Sequence, residues 1–261
     1  MSARTRLRVF LAAGSGLFAF LLWSYGGLPD FGDYQGPYGD ILNRVSIPER
    51  QTTAVVSAVN FDYRALDTLG EEFILFAAVI GVASLFRLLR GERGTKQPDD
   101  DARGRHVRQS SVAVTVMGLG LVGPTVLVGL YVVIHGHQTP GGGFQGGVIL
   151  ATALLLVYLS DQYRTLRQVG PLWLSELAEA LGGAGLLLLG LAGLVFGGAF
   201  FENVLPLGHA GELLSAGTIP LASVAVGLAV TGGFAFMLSE FLEQTLVVRK
   251  DRRRGRRRRR P

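Results

Sequence analysis

Apolar residues in this chain come in long runs. Six of them, at 8–25, 71–90, 111–134, 144–163, 176–200 and 217–243, approach or exceed the about 20 residues that cross a hydrocarbon core about 30 Å thick. Soluble core helices rarely run that long. The pattern predicts an all-α integral membrane protein with six transmembrane helices, two followed by four.

Composition agrees: 49% of the 261 residues are hydrophobic and 17% are charged. Cysteine is absent, which excludes disulfides, thiolate catalysis and cysteine-ligated zinc or iron–sulfur clusters. Arg4, Arg6 and Arg8 precede the first run, as in a signal peptide. That run is long, however, and no small-residue cleavage motif of the A-x-A kind follows it, so a retained first span is expected.

Charge orients the spans, because cytoplasmic flanks collect Lys and Arg during insertion. Of the 25 basic residues, 22 lie before the first run, between Arg87 and Arg108, at Arg164 and Arg167, or from Arg249 to Arg260. The other three, Arg44, Arg50 and Arg64, stand among eight acidic residues between Asp30 and Glu72. Both termini are therefore expected in the cytoplasm, and the 26–70 segment and the 135–143 and 201–216 loops outside.

The 26–70 segment opens with GGLPDFGDYQGPYGD, whose Gly, Pro and Asp residues favour an ordered turn-rich loop. TTAVVSAVNFDYRALDTLG follows, and its periodicity leaves strand and interfacial helix open. Asp62, Asp67, Glu71 and Glu72 cluster at the expected mouth of span two. They read as an attractor for cations or as a solvated cap at the positive end of a helix dipole. The polar stretch 93–108, with His106, reads as a flexible linker. The chain thus divides into a two-span module (1–92), the linker, a four-span domain (109–248) and an Arg-rich disordered tail (249–261).

Pro124 lies inside span three, where a freed carbonyl has to be satisfied by neighbouring helices. Span five carries seven glycines between Gly182 and Gly198, among them the GxxxG pair Gly193 and Gly197, a spacing that lets backbones approach closely. Between spans three and four stands YVVIHGHQTPGGGFQGG, residues 131–147. Its glycines lack the Gly-Lys-Ser/Thr of a phosphate loop. His135 and His137 are a partial metal pair without a third ligand nearby. A tight turn beside packed helices, with the imidazoles and Gln138 bonding freed backbone groups, fits the residues better. Proton handling by the histidines stays open, since imidazole titrates near neutral pH.

The string formed by His135, His137, Pro140, Gly141, Gly142, Gly143, Phe144, Gln145, Gly146 and Gly147, with a Pro-containing span before it and two spans after it, resembles the MnhB domain found in Mrp-type multisubunit sodium/proton antiporters and in related membrane-bound hydrogenases. That similarity covers about 109–243. Separately, GLPDFGDYQGPYGDILNR and VNFDYRALDTLGEEFILFA resemble the two-span MbhE-type module, here fused upstream of the MnhB-like domain. The resemblance implies a non-enzymatic, cofactor-free subunit in a bacterial or archaeal cytoplasmic membrane. Its implied partners are large A- and D-type and small C-, E-, F- and G-type subunits, with sodium ions and protons as cargo. A membrane-arm subunit of a redox assembly such as a membrane-bound hydrogenase is the first alternative, and a self-sufficient homo-oligomeric channel or transporter the second.

Intramembrane carboxylates are costly and usually functional. Glu176 with Glu179, and Glu240 with Glu243, share helix faces near the cytoplasmic ends of their spans. They are ion-path candidates beside Asp67, Glu71 and Glu72, or half-hydrated anchors. The tail RKDRRRGRRRRRP is read as an anchor on anionic lipid at about 1 kcal/mol per Arg, in preference to nucleic-acid binding.

Overall fold

The computed structural model describes residues 3–28, 32, 36–92 and 111–257. They form eight α-helices: α1 Ala3–Gly26, α2 Tyr38–Arg50, α3 Val55–Ala58, α4 Ala65–Glu92, α5 Val112–Ile134, α6 Gly143–Val169, α7 Leu172–Ala192 and α8 Ile219–Arg257. α3 runs into a π-helical turn, Val59–Tyr63, and α7 into another, Gly193–Gly197. No strand occurs among the described residues, and the stretch 52–70, ambiguous by periodicity, is mostly helical from Val55 onward. Six helices are long and apolar enough to cross a membrane, as the hydrophobic runs predict. The 93–108 linker lies outside the described residues.

Two boundaries differ from expectation. The second spanning helix begins at Ala65 rather than 71. Its first turn absorbs the charge: Asp67 pairs with Arg64, and Thr68 donates its hydroxyl to the Asn60 carbonyl at 2.6 Å. Asp67 and Glu71 are exposed, but Glu72 is buried, which corrects the picture of the pair Glu71 and Glu72 as a solvated cap. At the other end α8 continues through the basic residues to Arg257, where a disordered tail is expected from 249. Lys and Arg are good helix formers, and the first glycine there is Gly255.

The chain divides into two compact units, Met1–Ile41 and Leu42 onward. In the first, α1 presents its apolar side chains uncovered. In the second, α5 to α8 pack with α4, and small residues carry the close approaches. A Cβ at Gly147 would stand 2.8 Å from the Gly227 carbonyl oxygen, and one at Gly146 2.8 Å from that of Gly129. Gly182 of α7 lies against Ala225 and Ala229 of α8, and Gly232 of α8 against Ser175 and Glu179 of α7. Gly193 and Gly197 face Glu202 of their own loop. The approach they permit is to that loop, which corrects the expectation that this pair packs on another span. Pro124 lies on an exposed part of α5.

Hydroxyls inside the spans bond backbone carbonyls of their own or a neighbouring helix, which suits a medium without water to bond them. Thr115 donates to the Ser160 carbonyl at 3.0 Å, Ser223 to that of Val133 at 2.8 Å and Thr231 to that of Gly227 at 2.6 Å.

Candidate functional site

The His/Gly motif sits where α5 ends and α6 begins. α5 stops at Ile134, and His135 closes it by donating its backbone N–H to Tyr131; the His135 ring stacks on that of Tyr131 at 4.3 Å. Gly141 and Gly142 then take φ values of +129° and +142°, angles that side-chain-bearing residues rarely adopt. The chain is thereby turned so that Gly143 opens α6 against α8. A Cβ on Gly143 would meet Val226 at 2.9 Å and the Gly227 nitrogen at 2.8 Å. Phe144 extends outward and meets Phe234 edge-on at 6.2 Å. Pro140 and Gln145 are exposed.

The segment after α2 clamps this turn. Thr52 and Ser57 donate their hydroxyls to the carbonyls of His137 and Gly136. Ala54 donates its N–H to the His137 carbonyl at 3.3 Å, and Thr53 its hydroxyl to that of Gln138 at 2.7 Å. On the other side, Gln138 donates its amide to the Glu212 carbonyl, while Gln51 accepts from the Ala210 N–H at 3.0 Å. Arg50 and Asn203 converge on Asp62, at 2.7 and 3.1 Å, and Asn203 also donates to the Ala216 carbonyl at 3.0 Å. Three loops distant in sequence thus form one polar cap over one end of the bundle.

His137 is at the centre of this cap and is wholly buried, 0% exposed. Its Nε2 lies 3.4 Å from the Glu212 carbonyl oxygen and 3.2 Å from the Gln138 amide nitrogen; its Nδ1 has no hydrogen-bond partner. Burial pushes its pKa below the ordinary value of 6.5, with the Glu212 carbonyl acting the other way. The ring is therefore neutral at pH 7. Among the described residues no cluster of three His, Asp or Glu side chains is placed to hold a metal ion.

The acidic candidates separate into two sets. Glu176, Glu71 and Asp67 are exposed. Glu72, Glu179 and Glu240 are buried, at 8%, 7% and 3% exposed, and the side chain of Glu243 lies outside the described residues. Glu72 and Glu179 share one pocket between α4 and α7. Sequence spacing pairs each glutamate with a neighbour on its own helix. The pairing across helices follows from the packing of α4 and α7 on α8, which no short-range pattern encodes. The clamp residues Thr52, Ser57 and Asn203 are likewise not marked by any motif.

Membrane-length helices crossing on glycines, capped by a hydrogen-bonded polar turn, define a multi-pass helical membrane protein built to pack. Residues 110–236 match the family described as a domain related to the MnhB subunit of the Na+/H+ antiporter. The corresponding Na+/H+ antiporter chain of Bacillus subtilis, its B component, is 34% identical over 116 residues, 41% of this chain and 78% of that protein. The chain belongs to this family of multi-pass membrane subunits.

Two solved structures resemble it. One is of the membrane-bound sulfane sulfur reductase, an archaeal respiratory membrane complex. The match has 31% identity and a TM-score of 0.66, covering 90% of this chain and 98% of the other. The second is of the Mrp complex from Dietzia sp. DQ12-45-1b, with 26% identity and a TM-score of 0.61, covering 92% of this chain and 26% of that one. This chain therefore spans about a quarter of that Mrp chain. Both relatives lie in multisubunit membrane complexes, and the chain works with other subunits.

Proposed function

We propose that this chain is an ion-path and assembly subunit of a sodium/proton antiporter in a bacterial or archaeal cytoplasmic membrane, acting with large A- and D-type and small C-, E-, F- and G-type partners. The observation that carries this reading is the clamp: the 42–64 segment and the His/Gly turn are bonded into one cap, so the MbhE-like segment and the MnhB domain operate as a unit. In this reading the cap faces outward, both termini are cytoplasmic and the basic end of α8 rests on anionic lipid. His137 holds the turn in its neutral form. The buried glutamates, not the exposed Asp67, Glu71 and Glu176, touch the transported ion.

Removing the chain from its complex abolishes sodium-driven proton movement in everted vesicles, and affinity purification in mild detergent recovers the partner subunits with it. Unchanged exchange by the remaining assembly overturns the reading. A second reading, a membrane-arm subunit of a respiratory redox complex, is favoured by one observation: the chain covers 98% of its counterpart in the sulfane sulfur reductase complex. Iron–sulfur subunits in the purified assembly choose that reading.

A further inference from the structure

α8 aligns α4 and α7 around a common pocket. Gly233 of α8 lies beside Val79 of α4, and Phe241 meets Phe86 edge-on at 5.2 Å, so α4 and α8 run in the same direction. Gly182 opposite Ala225 and Ala229, with Gly232 opposite Ser175 and Glu179, sets α7 antiparallel to both. The pocket between α4 and α7 has a volume of about 280 Å³. Its walls are apolar, with Leu69, Phe73, Phe76 and Leu187, and its polar groups are Glu72 and Glu179.

The two glutamates lie on different helices, both within membrane-length apolar stretches, and line the same pocket. Glu179 Oε1 is buried against Gly233 and has no hydrogen-bond partner. Among the described residues no Lys or Arg lines the pocket. The charged neighbours, Glu71 on α4 and Glu176 on α7, add negative charge. From α8 the flank beside Glu179 is Gly232 and Gly233, which carry no charge. Two bare carboxylates sharing an apolar pocket are strongly disfavoured, and the deficit is removed by a bound cation or a proton. The volume leaves room for accompanying water.

We propose that Glu72 and Glu179 form an intramembrane cation site, which holds at least one exchangeable monovalent cation, a proton or an alkali metal ion, in the pocket between α4 and α7. The proposal rests on the antiporter reading and adds to it the place where cargo is held. Glu71 and Glu176 do not belong to the pair, because they are exposed.

The test uses the whole complex in everted vesicles and an apolar carbodiimide, dicyclohexylcarbodiimide, which reacts with protonated carboxyls in apolar surroundings. Peptide mass spectrometry is expected to find the adduct on Glu72 or Glu179. Labelling slows several-fold when NaCl or KCl replaces choline chloride, or when the pH is raised. Protection by salt identifies which alkali ion binds, and protection by pH alone identifies a site for protons only. No adduct on either glutamate, or labelling indifferent to Na+, K+ and pH, overturns the proposal.

E72Q and E179Q supply the second arm. Each lowers exchange tenfold or more at wild-type assembly, and the double variant is no worse than the poorer single, as residues of one site require. Full exchange by either assembled variant also overturns it. Where a variant fails to assemble, labelling of the unaltered complex decides. Cation-sensitive labelling in a complex without cation/proton exchange sinks the antiporter reading alone, whereas exchange with insensitive labelling sinks only the pair.

Discussion

Replacing Gly143 with alanine tests whether the glycines of the motif serve packing. The added methyl would meet the Ser223 carbonyl oxygen and stand 2.8 Å from the Gly227 nitrogen and 2.9 Å from Val226 Cβ. Carbon contacts are optimal at about 3.5–4.0 Å, so α6 and α8 have to separate by roughly 0.6–1 Å, enough to forfeit a quarter to a half of each contact along the seam. Overpacking of this kind costs about 1–3 kcal/mol. The upper end applies here, because the obstacles are backbone atoms and a Cβ instead of a side-chain tip. For a chain of this length about 3 kcal/mol corresponds to a fall of about 6–12 °C in melting temperature. Size-exclusion profiles of the detergent-purified complex after stepwise heating read that shift. Gly120→Ala is the control, since nothing lies within 4 Å of its added methyl. If Gly143→Ala melts within about 2 °C of wild type, close packing is not what the motif's glycines provide.

The remaining predictions concern the cap. His137 has a folded-state pKa below its unfolded value of 6.5. Between the two values the unfolded state binds more protons, so stability is full above about pH 6.5 and is lost as pH falls; His137→Gln flattens that part of the thermal stability curve against pH. Asp62→Ala removes the partner of Arg50 and of Asn203 and lowers cap stability by about 1–3 kcal/mol, seen as faster proteolysis within 42–64 at unchanged bundle melting. Thr52→Val deletes the hydroxyl bonded to the His137 carbonyl and costs about 1–2 kcal/mol by the same measure, while Asp67→Asn, which loses only an exposed pair with Arg64, changes stability by less than about 1 kcal/mol.

The spanning helices were legible in the sequence because a bilayer imposes a length and an apolar composition on any segment that crosses it. Boundaries set by polar side chains were less so: Asp67, Glu71 and Glu72 interrupt the run at 71 although the helix starts at Ala65. Burial was illegible for a related reason. Glu71 and Glu72 are adjacent and chemically identical, yet one is exposed and the other lies in the α4/α7 pocket. A step of about 100° around the helix separates them, and only the position of α7 decides which side is inside. The same holds for Gly193 and Gly197, whose spacing suits a helix partner and whose actual neighbour is Glu202.

The His/Gly motif illustrates how a string that reads as chemistry serves as architecture. Its backbone groups are taken: the carbonyls of Gly136, His137 and Gln138 accept from Ser57, Thr52 and Thr53. Its histidine is neutral and sealed, and its glycines are in contact with helix backbones. Those three carbonyls are therefore not open to a transported ion. The Glu72–Glu179 pocket has the opposite character, with a carboxylate oxygen left unbonded in surroundings that repel bare charge. A cap tied across three loops by hydrogen bonds, and a pocket that leaves a buried carboxylate oxygen unbonded, are what a subunit needs if it is to hold its helices rigidly at one end and exchange a cation within them.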